Sequence, residues 1–488
     1  MSEKNIVVLG AGPGGYTAAF LAADLGMNVT LIDENLKAGG ECLHRGCIPS
    51  KSLLHLSRLI EDTQNAEVCG LKFQRPEIDL NRIREWNREV INKMANGLSA
   101  LCKQRGVKFL NGRAKFENGK SLIINGTDSI SFDTCILATG SRPVFPTLFA
   151  EIENRTLTST SALELQDIPG HLLVVGGGYI GLELGTVYSA LGSRVTVVEM
   201  TGDLLTGVDR DLVRPLQARL KSQFQNILLN TEVTACNLYG EKVSVQFDGD
   251  KAADQFDRVL VAVGRTPNSE DLGLENTGVK INNWGFIQVD KRFQTDEPSI
   301  FAIGDVIGGS MLAHKASAEG KAAVKYLTHG QFEGKSQCVP AVVFTDPEIA
   351  WCGMTETDAK NNNIKVQIAK FPWMASGRAQ TLGRPEGMTK LILEPDTEQV
   401  LGMGITGVGA GELIGEGVLA VDNGLKAKDL ANSIHPHPTL SETIMESAEV
   451  FYGEATHIYK KIRKSSSSIV FEDQMSIMSS SLAFRCEE

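Results

Sequence analysis

Two stretches of the chain order their apolar and polar positions in the same way. Residues 5–33 read NIVVLGAGPGGYTAAFLAADLGMNVTLID, and residues 171–199 read HLLVVGGGYIGLELGTVYSALGSRVTVVE. Each opens on a short β-branched apolar run, crosses a glycine loop into an Ala/Leu-rich helical stretch, and returns to an apolar run that ends on an acid. That order predicts a strand–helix–strand unit. The loop has the spacing GxGxxG, with Gly10, Gly12 and Gly15 in the first copy and Gly176, Gly178 and Gly181 in the second. In such a loop the first glycine makes the tight turn, the second lets backbone N–H groups approach a pyrophosphate, and the third lets helix pack on strand. The helix N-terminus adds a partial positive charge for the phosphates. Asp33 and Glu199 each fall 18 residues after the last glycine of their loop, near the ~20 expected of an acid that binds a ribose. One such loop is weak evidence. Two, each closed by its acid, predict two bound dinucleotides.

The remaining pattern predicts how the units are joined. Residues 60–105, rich in Glu, Arg, Asn and Lys, read as a helical stretch, and short strands follow up to Ala138-Thr139-Gly140. After the second unit, strands lead to VAVGRTPN (261–268), and PSIFAIGD (298–305) brings another apolar strand to an exposed Asp305. From Ala341 the texture changes: apolar runs at 388–393 and 400–405 flank Glu394-Pro395-Asp396, a hairpin turn signal. Helices are expected over 412–422 and after Thr439. An antiparallel sheet with helices, appended to two nucleotide units, suits a dimer interface. From Ile462 periodicity is lost and serines dominate, which reads as a disordered tail.

Composition narrows the partners. Of 488 residues, 42% are hydrophobic and 22% charged, ordinary globular values that argue against disorder and membrane bundles. Lys+Arg number 48 against 59 Asp+Glu, a net charge of −11 without a basic stripe, so nucleic acid is not an expected partner. No apolar stretch reaches the ~20 residues of a membrane span. The start, MSEKNIVVLGAG, lacks the pattern of a signal or transit peptide. A cytoplasmic chain is expected.

Nine cysteines are too few for a disulfide scaffold. Seven (69, 102, 135, 236, 338, 352 and 486) are scattered singly and read as small buried or free residues. Cys42 and Cys47 stand close together in GGECLHRGCIPSK (39–51). On an ideal helix, i and i+5 would be ~7.5 Å apart along the axis and on different faces. Closing the pair into a disulfide needs a distorted turn, which Gly46 permits. A strained bond at a helix start is easily reduced, and the dipole with Arg45 favours the thiolate. The alternative is two unpaired buried thiols.

Placed just after a dinucleotide unit, this segment resembles the redox centre of the flavin-dependent pyridine nucleotide–disulfide oxidoreductases. The likeness runs from about residue 5 to about residue 461, through GAGPGGYTAA, ATGSRP, GGGYIGLELG, AVGRTPN, MLAHKASAEG, FPWMASGRA and HPHPTLSE. It is strongest to the members that oxidise dihydrolipoyl groups with NAD⁺. The resemblance implies an α/β fold of two Rossmann-like domains and a C-terminal α+β dimerisation domain. FAD would occupy residues 1–147 and 270–338, NAD would occupy 148–269, and 339–461 would form the interface of a homodimer, ahead of the tail at 462–488. By the same likeness, Cys42 exchanges with substrate and Cys47 lies against the flavin as the charge-transfer thiolate. Glu41 stands where threonine or valine is common, and His44 and Arg45 are variants within the family.

The family's cofactor contacts carry over to Gly14, Asp33, Lys51, Ala114, Thr139, Gly140, Asp305 and Ala313 for FAD. For NAD they carry over to Tyr179, Ile180, Glu199, Val233, Gly264 and Arg265. Lys51 and Glu183 match an ion pair near the flavin, although a lone helical glutamate is more often solvated. Asp305 matches an aspartate that takes a ribityl hydroxyl, and it also suits a helix N-cap. Glu199 would repel a 2′-phosphate, and Met200-Thr201-Gly202 supplies no cation to offset it, which favours NAD over NADP. His437 matches the base that a mostly protonated thiol requires, with Glu442 orienting it. Glu442 also fits a capping box with Thr439. His435 would support the pair from outside. Cys486 between Arg485 and Glu487 offers a weak third redox site, against a tail residue; the basic run 460–464 reads as a solvated end.

The implied partners are a lipoyl-bearing acyltransferase of 2-oxoacid dehydrogenase complexes or the glycine-cleavage H-protein. Two rival readings remain at this stage. One is an NAD(P)H-dependent disulfide reductase of the glutathione reductase type, which Glu199 disfavours. The other is a non-catalytic dimeric scaffold, against which both cysteines, His437 and Glu442 speak.

Overall fold

The computed structural model describes residues 4–249, 253–330 and 338–459. The tail from 462, Cys486 and the basic run 460–464 lie outside the described residues.

The first apolar run forms the strand Asn5–Leu9, the glycine loop enters the helix Pro13–Asp24, and the second run forms Asn28–Asp33. The two strands are parallel neighbours, from Asn5↔Asn28 to Leu9↔Ile32. Around them grows a parallel sheet in the order Ile300–Ala302, Thr134–Leu137, Asn5–Leu9, Asn28–Asp33, Lys108–Asn111. Its inner strands are mostly apolar and buried because both faces are covered, while the edge strand Lys108–Asn111 is not. Ile6 and Val8 pack with Ala18, Ala22 and Val324, while Val7 and Leu9 pack with Phe116 and Leu122. The edge strand Ile300–Ala302 returns only after the second unit, so that unit is an insertion into the first.

The second unit repeats the design with His171–Val175, the helix Tyr179–Leu191 and Arg194–Val198. Its parallel sheet runs Asn226–Leu228, Arg194–Val198, His171–Val175, Arg258–Val261, Thr156–Thr158. From Ala341 an antiparallel sheet follows, in the order Ala341–Val343, Glu348–Gly353, Val400–Gly407, Met388–Leu393, Gln367–Pro372. The expected hairpin joins Met388–Leu393 to Val400–Gly407, and Glu394 accepts the Asp396 N–H at its turn (3.0 Å). The helices Ala410–Asn423 and Glu442–Tyr452 share a core with this sheet.

Two expectations are corrected. The helical stretch over 60–105 is two helices, Cys47–Asn65 and Leu80–Gln104. Gly70 turns the chain at φ 84°, Pro76 lacks a donor, and Asp79 starts the next helix by accepting the Arg82 N–H at 3.0 Å. The seven scattered cysteines are not all single either. Cys338 and Cys352 meet side by side, because a strand pairing invisible to linear spacing brings them together.

The interface sheet is bound to the second unit by a buried charge cluster. Lys390 is 0% exposed, and its ammonium donates to Asp209 (2.7 Å), Asp211 (2.8 Å) and Glu356 (2.8 Å). It fills the space those three carboxylates would otherwise offer a metal ion. Burial by itself would raise Asp209 and Asp211, but Lys390 holds both below the usual carboxylate range. A depressed carboxylate stabilises the fold above its unfolded pKa, ~3.9, and loses that contribution as pH falls through its lower folded value. Lys390→Met leaves the buried Asp209 without its cation, while Lys370 still pairs Asp211 at 2.9 Å and Glu356 at 3.2 Å, so urea unfolding at pH 7 is expected to show a loss of about 3 kcal/mol. The gap between variant and parent should narrow below the ordinary carboxylate range.

Candidate active site

The redox segment is held by the first glycine loop. The Gly39 N–H donates to the Ala11 carbonyl at 2.8 Å. Gly40 has φ +58°, and a Cβ there would lie 2.5 Å from the Gly12 Cα, so only glycine fits. The helix Gly40–Arg45 ends at Gly46 (φ −140°, ψ −112°), where the helix Cys47–Asn65 begins. Cys42 and Cys47 therefore sit on two elements that meet at a break. Glu41 is accommodated by partners of its own: the Thr160 hydroxyl donates to it at 2.9 Å, and Arg45 lies 3.7 Å away. His44 bonds the Lys37 carbonyl at 3.1 Å.

The two thiols are free and hydrogen-bonded to each other. That bond separates their acidities. It lowers Cys47 to about 7, with the Lys51 ammonium assisting against burial. The same bond, with burial, pushes the Cys42 thiol up.

Both line a cleft of about 750 Å³, toward the large end of ligand pockets. Gly10, Gly12, Gly14 and Asp33 line it at the glycine loop, and Ala114, Thr139 and Gly140 line it beyond. Lys51, Tyr179, Ile180, Glu183, Arg265, Asp305 and Ala313 complete the predicted set that it gathers. Gly15 lies beneath the loop, where a Cβ would come within 1.8 Å of the Gly10 carbonyl oxygen. The helix Pro13–Asp24 has Gly12 at its N-cap with no side chain capping it. Its first N–H groups thus suit a pyrophosphate beside a loop that leaves no Cβ in the way.

Asp33 and Glu199 do the same local job. Asp33 accepts the Ala11 N–H (2.6 Å), the Asn35 N–H (2.8 Å) and the Asn35 amide (2.7 Å). Glu199 accepts the Gly177 N–H (2.7 Å), the Thr201 N–H (2.8 Å) and the Thr201 hydroxyl (2.8 Å). Each acid ties the strand end to the loop residue after the first glycine. Arg210, at the start of the following helix Arg210–Gln223, is spent on the carbonyls of Leu204 (2.8 Å), Leu205 (2.7 Å) and Val208. Gly178 caps the helix Tyr179–Leu191, and Gly176 and Gly181 pack against the Ala262 and Gly176 carbonyls as their counterparts do. Val233 starts the strand Val233–Tyr239 with its side chain buried in the core, so only its backbone can meet a nucleotide. Gly264 accepts the Val144 N–H at 3.0 Å.

Glu183 is not a solvated acid. It is buried; one oxygen accepts Lys51 (2.7 Å) and the Ser50 hydroxyl (3.1 Å), and the other accepts the Phe344 N–H (3.0 Å). The Lys51 ammonium sits 4.5 Å from the Phe344 ring centroid. Asp305 is half-buried, not exposed. It is not a helix N-cap: it lies within the short turn Gly304–Ile307, whose cap is Ile303, and it accepts the Ser141 hydroxyl at 2.6 Å. Arg265 donates to that same Ser141 hydroxyl at 2.7 Å. Ser50, Ser141 and Asn268, which bonds Thr139 both ways (2.7 and 2.9 Å), were missed though they stand inside quoted motifs. Phe344 carried no signal, because its contribution is a backbone N–H.

His437 and Glu442 meet away from this cleft. The His437 Nδ1 lies 2.8 Å from one Glu442 oxygen, while the other accepts the Thr439 N–H at 2.7 Å. Glu442 takes the Thr439 N–H, but the helix Glu442–Tyr452 has Ser441 at its N-cap with no side chain capping it, and the Thr439 hydroxyl turns to the Pro436 carbonyl, so the expected capping box on Thr439 does not form. The His437 side chain is 72% exposed and does not line the cleft of its own chain. His435 bonds Glu416 (3.0 Å) and the Ser433 carbonyl (2.8 Å).

Two parallel nucleotide-type sheets, one inserted in the other, a thiol pair at a glycine loop and an antiparallel interface sheet define a nucleotide-dependent disulfide oxidoreductase. The chain belongs to the pyridine nucleotide-disulphide oxidoreductase family, whose model matches residues 4–320, with the family's dimerisation domain matching 339–448. It is an oxidoreductase with FAD and NAD as cofactors. It is 43% identical to a dihydrolipoyl dehydrogenase of Vibrio parahaemolyticus over 94% of this chain and 98% of that one. It is 40% identical to a dihydrolipoyl dehydrogenase of Geobacillus stearothermophilus, with the same coverage. Among solved structures, the HOCl-induced flavoprotein disulfide reductase RclA of Escherichia coli is 30% identical, with TM-score 0.81 over 90% of this chain and 98% of that one. LpdA of Mycobacterium tuberculosis is 27% identical, with TM-score 0.84 over 91% and 99%.

Iodoacetamide reacts with thiolates, so its rate on the reduced protein should titrate at Cys47 with a midpoint near pH 7, below the ~8.5 of a free thiol. A Cys42→Ser variant keeps a hydroxyl beside Cys47 and should retain most of that shift. Lys51→Met should move the midpoint upward.

Proposed function

We propose that the chain catalyses the dihydrolipoyl dehydrogenase reaction, oxidising a protein-bound dihydrolipoyl group and reducing NAD⁺. The observation that carries this reading is the thiol pair with separated acidities, Cys47 depressed and Cys42 raised, beside the Lys51–Glu183 ion pair. It stands in a chain similar to dihydrolipoyl dehydrogenases over nearly its whole length. In the oxidised protein Cys42 and Cys47 form the reactive disulfide. His437 of a second copy takes the proton of one substrate thiol, and the resulting thiolate attacks the Cys42 sulfur. Cys47 leaves as a thiolate, the form its low pKa favours. The second substrate thiol then attacks the sulfur joined to Cys42 and closes the lipoyl disulfide. Cys42 departs and takes up a proton, the form its raised pKa favours. FAD held in the cleft beside Cys47 would supply the redox chemistry that carries this electron pair on to NAD⁺ as hydride.

The glycine loop of the first unit and Asp33 would hold the FAD pyrophosphate and ribose, with Asp305 and the backbone of Ala114, Thr139, Gly140 and Ala313 along the rest. Gly176, Gly178, Gly181, Glu199, Val233, Gly264 and Arg265 would hold NAD. A homodimer follows from His437: it is exposed, apart from its own cysteines, and carried by the domain that matches a dimerisation model. The corresponding domains are 1–147, 148–269, 270–338 and 339–461. The dihydrolipoyl donor is borne by an acyltransferase core or an H-protein in the cytoplasm. Among the described residues, no helix is long and apolar enough to cross a membrane.

Anaerobic titration of the FAD-loaded protein with dihydrolipoamide should raise long-wavelength thiolate–flavin absorbance, and NAD⁺ should then discharge it. Cys47→Ser is expected to abolish that absorbance, whereas His437→Gln should lower turnover ~10²–10⁴-fold with flavin retained. Full activity in His437→Gln would remove the base from this mechanism. Turnover with NADPH equal to that with NADH would favour a glutathione reductase type of activity.

A further inference from the structure

A second thiol pair lies in the interface domain, away from the cleft. Cys352 is buried on the strand Glu348–Gly353, against Met403 and the helix Ala410–Asn423. Cys338 is half-buried on the segment entering the neighbouring strand Ala341–Val343. The register pairs Ala341 with Trp351, so the incoming segment runs back alongside Cys352. The Cys338 N–H is fixed on Asp422 at 2.7 Å, and its sulfur meets both the Cys352 thiol and the Gly353 N–H. Neither cysteine lines the cleft. The position is also a junction, because the first family match ends at 320 and the dimerisation match begins at 339.

We propose that Cys338 and Cys352 are a second redox pair, closing reversibly into a disulfide on reaction with low-molecular-weight disulfides such as glutathione disulfide. The Cys352 hydrogen bond lowers the Cys338 thiol, with the Gly353 N–H adding to this against burial. The same contact, with burial, raises Cys352. Cys338 is thus both the accessible sulfur and the readier thiolate. Its thiolate attacks glutathione disulfide, forming a mixed disulfide and releasing one glutathione thiolate. Cys352 then gives up its proton, attacks the Cys338 sulfur and expels the second glutathione. The two protein thiols are oxidised and one glutathione disulfide is reduced to two thiols. The product ties the start of the interface domain to the second strand of its sheet, Glu348–Gly353.

The test treats full-length, FAD-loaded protein with excess glutathione disulfide, blocks residual thiols with iodoacetamide and maps peptides without reduction. The Cys42–Cys47 peptide serves as the internal control for oxidation. Most chains are expected to yield a peptide linking Cys338 to Cys352, with both lost from the alkylated pool and recovered after dithiothreitol. In Cys352→Ala, Cys338 should accumulate as the glutathione adduct; in Cys338→Ser, Cys352 should stay unmodified. Recovery of both residues as free thiols in the parent protein would overturn the proposal. So would a stable glutathione adduct on Cys338 in the parent, or modification of Cys352 in Cys338→Ser.

Discussion

One buried carboxylate holds the active centre together. Glu183, on the helix of the second nucleotide unit, accepts Lys51 and Ser50 from the redox helix of the first and the Phe344 N–H from the interface domain. A carboxylate out of water is costly unless paired, and this one has a cation and two further donors. Its position is therefore over-determined by three parts of the chain. Lys51, aligned by Glu183, lies one helical turn beyond Cys47 and favours its thiolate. A change in how the units pack would move this ion pair and, through it, the acidity of the reactive sulfur.

The glycine loop has a similar double use. The same close backbone approach that leaves room for a pyrophosphate lets Gly40 pack against Gly12. The helix Gly40–Arg45 is thereby anchored on the glycine loop, and the break at Gly46 places the second sulfur on a new helix with its own N-terminus. Backbone packing, rather than side-chain contact, thus holds the cysteine segment against the glycine loop.

The interface domain is joined differently. Lys390 with three acids forms a buried cluster between its sheet and the second unit, and Asp346 with Arg58, Arg219 and Arg384 spans the same region. Removing one member of such a cluster costs far more than the intact cluster contributes, so these contacts secure one docking geometry. That geometry leaves His437 turned outward with its partner Glu442 already in place. An imidazole presented in this way suits the base proposed above for a second copy.

Local patterns carried a great deal. The doubled strand–loop–helix–strand order, the acids closing each unit, the close cysteine pair and the Thr439–Glu442 spacing depend on neighbours in the chain, where periodicity and backbone sterics act directly. What linear order could not contain was the meeting of distant residues. Ile300–Ala302 completes the first sheet from far along the chain, Phe344 lends Glu183 a backbone donor, and Cys338 reaches Cys352 across a strand pairing. Likewise, Asp305 was readable as a polar residue after a strand, but its partner Ser141 was set by the folded sheet edge. Burial and hydrogen-bond geometry arise only once the elements pack, and they decide which acids are ion-paired, which thiol is ionised and which histidine faces outward.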